Sequence, residues 1–271
     1  MSLGFCSLAS GSSGNCYLIK NDNTVLLLDA GISFKAIKTG LESFGILPGD
    51  IDGILITHDH IDHVKGLRTL LKKTDCPLYA SEGTLDAIVK KQSPLPYERF
   101  TEVRAGESFA VGGDGEGAVK ITPFGLSHDT EEPISFSFET GGKKAAVVTD
   151  TGYVSEEIFR NIRDCELLAL EANHERNILL YGSYPYPLKL RILSDLGHLS
   201  NEACAHALLE ILKETAVKPK VFLAHLSQEN NTPEQALITV RNILEEGGFV
   251  VGRDLELDVL KRGEPSAFVT I

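Results

Sequence analysis

The chain has 271 residues, 42% of them hydrophobic, 24% charged and with a net charge of −12 at neutral pH. That length and apolar share support a substantial core, in one domain spanning 1–271 in preference to two small ones, while the acidity argues against wholesale attraction to nucleic acid and still allows a local basic strip. No apolar run is long enough to span a bilayer, no basic region precedes the first apolar residues, and the five cysteines are widely spaced without a C-x-x-C pair, which reads as a cytoplasmic protein with reduced thiols and no membrane partner.

Short strands are expected at 3–9 and 16–20, joined across Ser10-Gly11-Ser12-Ser13-Gly14-Asn15. Consecutive small residues can line up backbone N–H groups as an anion nest, which makes Ser12, Ser13 and Asn15 candidate substrate contacts, and a plain turn accounts for them equally well. A uniformly apolar strand at 24–28 ends in Asp29-Ala30-Gly31. A carboxylate there needs a partner. Either the second ring nitrogen of a metal-bound histidine or the start of a helix near 32–34 meets that need.

The apolar run 51–56 reads as a buried strand, and Thr57-His58-Asp59-His60-Ile61-Asp62-His63 follows it, ahead of the helical pattern Val64, Leu67, Leu70, Leu71. Three imidazoles and two carboxylates at such spacing suit a borderline divalent ion, because several ligands converge without a long loop to order. His58 and His60 can reach one ion. Asp62 and His63, where the helix begins, point to a second position, as in two-metal hydrolases. A helix cap that happens to be rich in histidine is the bland alternative, but a cap needs one Ser, Thr or Asp, not five coordinating side chains.

Downstream the pattern predicts a helix to about 73, a strand at 77–80, a helix at 82–90, strands near 99–103 and 107–111, and a surface turn at 114–117. A strand at 118–125 delivers His128, and its hairpin partner at 134–139 leads to a strand at 143–148 and Asp150. A helix at 156–162 precedes a strand at 166–170 that ends in Glu171. Residues 175–197 lack clean periodicity. They carry Tyr181, Tyr184, Tyr186, Lys189 and Arg191, a mixture that can stack bases and pair phosphates or can belong to a surface loop with a short helix around 187–193. Gly197-His198-Leu199-Ser200-Asn201 opens an amphipathic helix capped by Ser200 or Asn201. A strand at 221–224 ends in His225, a helix covers 233–246, and the tail from 249 to 271 closes with strand structure.

A workable division of ligands places His58, His60 and His128 on one ion, Asp62, His63 and His225 on the other, and Asp150 between them, with Asp29 behind a ligating histidine. His206 reads as structural and His174 is ambiguous.

H-x-H-x-D-H after an apolar strand, followed in order by a lone His, a lone Asp and a final His at strand ends, resembles the metallo-β-lactamase superfamily, and Asp29-Ala30-Gly31 is similar to its upstream aspartate motif. The resemblance implies an α/β fold, the αββα sandwich. Asp150 stands where hydrolytic β-lactamases resemble one another in having Cys, which implies a bridging carboxylate of the phosphodiesterase and glyoxalase II kind. Only 46 residues follow His225, too few for the glyoxalase II substrate domain, and the 75-residue step from Asp150 to His225 is too short for a β-CASP insertion.

Glu171-Ala172 and Gly197-His198-Leu199-Ser200 resemble segments of ribonuclease Z, whose histidine is catalytic and held by the glutamate. A carboxylate raises an imidazole pKa and fixes its tautomer, so His198 would protonate the leaving alkoxide, with Glu171 and Asp62 as the other catalytic groups. The 21 residues between His128 and Asp150 leave no room for a tRNA-binding arm. Taken whole, with Gly11-Ser12-Ser13-Gly14-Asn15, Thr149-Asp150-Thr151-Gly152, Gly197-His198-Leu199-Ser200-Asn201 and Ala224-His225-Leu226-Ser227-Gln228-Glu229-Asn230-Asn231, the chain resembles the compact bacterial YycJ (WalJ) group. That implies a nuclease with two divalent ions, zinc or manganese with iron as a third option, and a bridging hydroxide as nucleophile. The same resemblance implies exonuclease action on DNA in preference to RNA. Tyr184, Tyr186, Lys189 and Arg191 are the candidate substrate contacts. The alternatives are a hydrolase of thioesters, lactones or cyclic nucleotides, and a non-catalytic regulatory or binding protein, which the complete ligand set disfavours.

Overall fold

Runs of Leu, Ile and Val too short for helices make the strands of this protein, and its computed structural model describes every residue except Gly113, Asp114 and Glu116. Two residues of the turn expected at 114–117, Asp114 and Glu116, lie outside the described residues. In order come β1 (Gly4–Ala9), β2 (Cys16–Lys20), β3 (Val25–Leu28), α1 (Phe34–Glu42), β4 (Gly53–Leu55), α2 (Ile61–Val64) and α3 (Leu67–Lys73). Then follow β5 (Leu78–Ala80), α4 (Glu82–Gln92), β6 (Phe100–Glu102), β7 (Phe109–Val111), β8 (Val119–Gly125), β9 (Ile134–Thr140) and β10 (Lys143–Val148). The last stretch holds α5 (Glu156–Ile162), β11 (Leu167–Glu171), α6 (Arg176–Tyr181), α7 (Tyr186–Ile192), α8 (Asn201–Glu214), β12 (Lys220–Ala224), α9 (Pro233–Glu246), β13 (Glu256–Val259) and β14 (Val269–Thr270). No helix among the described residues is long and apolar enough to cross a membrane.

The chain forms two units, the first being Met1–Gly125 with Thr130–Lys143 and Lys261–Ile271. Its main sheet runs β14-β1-β2-β3-β4-β5-β6, antiparallel as far as β3 and parallel from there to β6. The parallel register sets Leu28 beside Leu55, so Asp29 and the Ile56-Thr57 step leave neighbouring strands side by side. Helices α1 and α3 seal one face: Ile37, Leu41, Leu67, Leu70 and Leu71 share a buried cluster with Leu18, Leu27, Ile54 and Ile56. Each such side chain contributes roughly 1.5–3 kcal/mol. The helix expected after the histidine motif is broken into α2 and α3 at Lys65-Gly66. There the Gly66 N–H donates to Ala30 O at 2.7 Å, and a Cβ on Gly66 would sit 2.0 Å from Ile32 O.

In the second unit, Leu126–Asp129 with Lys144–Leu260, strands β10, β11, β12 and β13 pair in parallel. Every residue of β11 is buried, as a strand covered on both faces requires. The register pairs Val148 with Leu170 and Glu171 with Ala224, so Asp150, Glu171 and His225 emerge from the carboxyl ends of adjacent strands, where parallel sheets place their ligands. Ser200 caps α8 by accepting from the Ala203 N–H at 3.1 Å. Two short helices, α6 and α7, occupy the stretch where one was expected; Pro185 and Pro187 set the start of α7.

Candidate metal centre

In the first unit the motif folds back on the strand ends that carry it. Asp29 leaves β3 in the left-handed region, φ 61°, which aims its carboxylate at the neighbouring strand end. Oδ1 accepts the Thr57 N–H at 2.9 Å, and Oδ2 accepts from His63 Nδ1 at 2.7 Å. Thr57 has a single hydroxyl proton and gives it to Asp29 at 3.0 Å, so His58 Nδ1, also 3.0 Å from Thr57 Oγ1, must be a donor. His58 and His63 therefore carry the proton on Nδ1 and the lone pair on Nε2, the form a metal ligand takes. Asn15 agrees with this. Its Oδ1 accepts the Gly11 N–H at 2.9 Å, which turns Nδ2 toward the His63 Nε2 lone pair at 3.0 Å. The His58 ring lies 4.1 Å from His63 and 4.7 Å from His60 between centroids. Burial pushes the Asp29 pKa up against the opposing pull of His63 and Thr57.

In the second unit Glu171 is the hub. Its Oε1 accepts from Nδ1 of both His198 and His225 at 2.8 Å each, and its Oε2 accepts the N–H groups of Thr151 at 2.9 Å and Leu199 at 3.3 Å. Burial alone would push this carboxyl up, but the two imidazoles hold it down, at about 2. Asp150 Oδ1 lies 3.5 Å from each of those two Nδ1 atoms and 3.7 Å from His128 Nε2. His128 Nδ1 is 3.1 Å from the Gly197 carbonyl, which only accepts, so His128 too presents its lone pair at Nε2. Burial pushes the His128 pKa down, favouring the neutral ring. Asp150 and His225 have φ of 60° and 55°; like Asp29, they hold backbone conformations that ordinary residues avoid. Donor atoms of Asp150, Glu171, His198 and His225 lie within 4.8 Å of one another. Each unit holds two imidazoles, His58 and His63 in the first and His128 and His225 in the second, set in the ligand tautomer by a partner on the opposite ring nitrogen, with carboxylates beside them. Such a donor set fits a divalent metal.

A family model described as a β-lactamase superfamily domain matches residues 24–225, from the start of β3 through His225. The chain belongs to the metallo-β-lactamase superfamily. It is similar to the exodeoxyribonuclease YycJ of Bacillus anthracis, 38% identical over 257 residues and 95% of both chains. It is also similar to the exodeoxyribonuclease WalJ of Streptococcus pneumoniae, 39% identical over 251 residues, 92% of this chain and 91% of that one. The metallo-β-lactamase fold protein YhfI of Bacillus subtilis superposes with a TM-score of 0.69 over 98% of both chains at 15% identity, a likeness of fold alone. The fold is the αββα sandwich of this superfamily, as the motif order implied.

The candidate substrate contacts divide. Ser12 and Ser13 are exposed in a turn closed by Gly14 N–H to Gly11 O at 2.9 Å, whereas Asn15 is buried with its Nδ2 3.0 Å from His63 Nε2, the nitrogen that would face a metal. Tyr186 is exposed and Tyr184 half-buried. Lys189 donates to the carbonyls of Leu180 and Gly182 at 2.9 and 2.7 Å, fastening α6 to α7. Arg191 grips Asp129 through Nε on one oxygen and Nη2 on the other at 2.8 Å, so its charge is already matched by a carboxylate beside His128. His206 is exposed on α8, and His174 is buried beside Ser200.

Several supporting residues escaped the sequence reading. Thr57 relays Asp29 to His58, and its place directly before the first histidine was the available signal. Asp59, between two ligand candidates, is held by Lys91 of α4 and by Thr130, while Gln92 donates to Val64 O at 3.0 Å, so α4 clamps both ends of the motif. That Glu171 serves His225 as well as His198 had no signal in the sequence, because β11 and β12 are paired only in the folded sheet.

Proposed function

We propose that the chain is a metal-dependent phosphodiesterase of the cytoplasm that works as a DNA exonuclease, using two divalent ions, zinc or manganese, on the ligands assigned from the sequence. The observation that carries this reading is the double hold of Glu171. One carboxylate oxygen ties His225, whose side chain is 1% exposed and sits as a buried ligand does, to His198, whose side chain is 14% exposed. With its Nδ1 proton anchored, His198 can take a second proton at Nε2 and deliver it to a departing alkoxide. Glu171, ionised at neutral pH, accepts that Nδ1 proton at 2.8 Å and so fixes the orientation of the ring. When bound, divalent ions supply an acidified water as nucleophile and offset charge on the phosphoryl oxygens. Relatives named as exodeoxyribonucleases, aligned over nearly their full length, favour DNA over thioesters, lactones and cyclic nucleotides.

The test is nucleotide release from end-labelled duplex DNA and a matched RNA by metal-restored protein. Release should require metal, and His198→Ala should lower the rate roughly 10²–10⁴-fold with metal content unchanged. Full activity in the metal-loaded variant would remove His198 from the acid role. Release from RNA alone would overturn the DNA assignment, and release from neither polymer would restore the small-molecule reading.

A further inference from the structure

The α6–α7 hairpin in the second unit exposes three large side chains within ten residues: Tyr181 is 89% exposed, Tyr186 71% and Leu190 51%. Residues 176–194 contain Arg176, Lys189 and Arg191 and no acidic residue, in a chain with 38 Asp and Glu against 26 Lys and Arg. Among the described residues Lys189 meets carbonyls and no carboxylate, which leaves its charge uncompensated, and exposed Arg176 likewise has no carboxylate partner there. The hairpin also runs straight into the catalytic loop. Arg191 grips Asp129, Ser127 Oγ donates to Asp195 O at 2.7 Å, and the His198 N–H donates to Ile192 O at 3.0 Å. Whatever docks on α7 is therefore held next to the segments that carry His128 and His198.

We propose that the α6–α7 hairpin docks a single-stranded stretch of the DNA substrate, its bases stacked on the rings of Tyr181 and Tyr186 and its phosphates drawn by Arg176 and Lys189. This rests on the phosphodiesterase reading above. Aromatic faces beside uncompensated cations are what a single strand needs. Stacking is also tolerant of sequence, as suits an enzyme that must pass every base. A blunt duplex hides those base faces. A second copy of the chain suits the surface less well, because a two-fold contact would set the same uncompensated cations against themselves, whereas a polyanion matches them.

The metal-loaded protein is titrated against a labelled phosphorothioate oligodeoxythymidylate of about twelve nucleotides, with binding read by fluorescence anisotropy. Turnover of bis-para-nitrophenyl phosphate and of DNA is followed in parallel. Replacing both tyrosines, Tyr181→Ala with Tyr186→Ala, should weaken oligonucleotide binding at least about tenfold. Tyr181→Phe with Tyr186→Phe should bind as the wild type does, since stacking uses the ring and not the hydroxyl. Affinity for a blunt duplex should be insensitive to either pair. Unchanged oligonucleotide affinity in the alanine variant overturns the dock, and loss of a dimer on sedimentation of that variant, with affinity unchanged, assigns the face to a second copy instead. A wild-type protein that hydrolyses neither the small diester nor DNA overturns the phosphodiesterase reading, whatever the tyrosines do to binding.

Discussion

Glu171→Gln tests whether one carboxylate organises the cluster of the second unit. The carboxylate accepts four donors, Nδ1 of His198 and of His225 on one oxygen and the backbone N–H groups of Thr151 and Leu199 on the other. An amide keeps one acceptor and turns the other into NH₂, so in either orientation two buried donors face a donor. At about 1–3 kcal/mol for each unsatisfied group, the loss is roughly 2–6 kcal/mol. A second route gives a similar size. Holding the carboxyl at about 2 instead of 4.5 corresponds to about 3 kcal/mol in favour of the folded, ionised form. Because the folded pKa is depressed, this contribution is complete above pH 4.5 and disappears as the pH falls through about 2. The assay is thermal denaturation of metal-free wild type and variant from neutral pH downward. The wild type should lead at neutral pH, and its lead should shrink below pH 4.5. In the metal-loaded variant, hydrolysis should also fall, since His198 loses its anchor. Equal melting temperatures at neutral pH, or a gap that stays constant into acid, would refute the reasoning.

Asp29→Asn keeps an acceptor for Thr57 but turns a donor toward His63 Nδ1, which should lower metal affinity roughly 10–100-fold while the fold survives; competition with a chelator reads it directly. Gly31→Ala would place a Cβ 1.6 Å from Asp62 O and 2.7 Å from Asn15 N, both backbone, so the metal motif must shift; reduced melting temperature and metal content together are the expected outcome. His174 is 1% exposed with no hydrogen-bond partner on either ring nitrogen among the described residues, and burial holds its pKa down, at about 4 against 6.5. Its folded pKa being depressed, protonation favours the unfolded chain, and up to about 3 kcal/mol of stability is lost between pH 6.5 and about 4. His174→Leu should therefore gain on the wild type in melting temperature as the pH is lowered through that window, and a gap independent of pH would show that the imidazole does not titrate there.

Local pattern alone marks the candidate residues for the chemistry and places them at strand ends. The six residues from His58 to His63 are covalent neighbours, and the alternation of apolar runs with His128, Asp150, Glu171 and His225 marks where each strand stops. It also carried the family, because motif order survives without knowledge of contacts. How those side chains are held depends on contacts between distant parts of the chain. Asp29 reaches His63 across 34 positions, Glu171 reaches His225 across 54, and Gly197 reaches His128 across 69. The first two of these partners are chosen by the parallel registers of β3 with β4 and of β11 with β12, which no local periodicity encodes. The same holds for charge. Lys189 and Arg191 look alike two residues apart on α7, yet one meets carbonyls and keeps its charge while the other meets Asp129 and is neutralised, because a helix points side chains two apart in different directions.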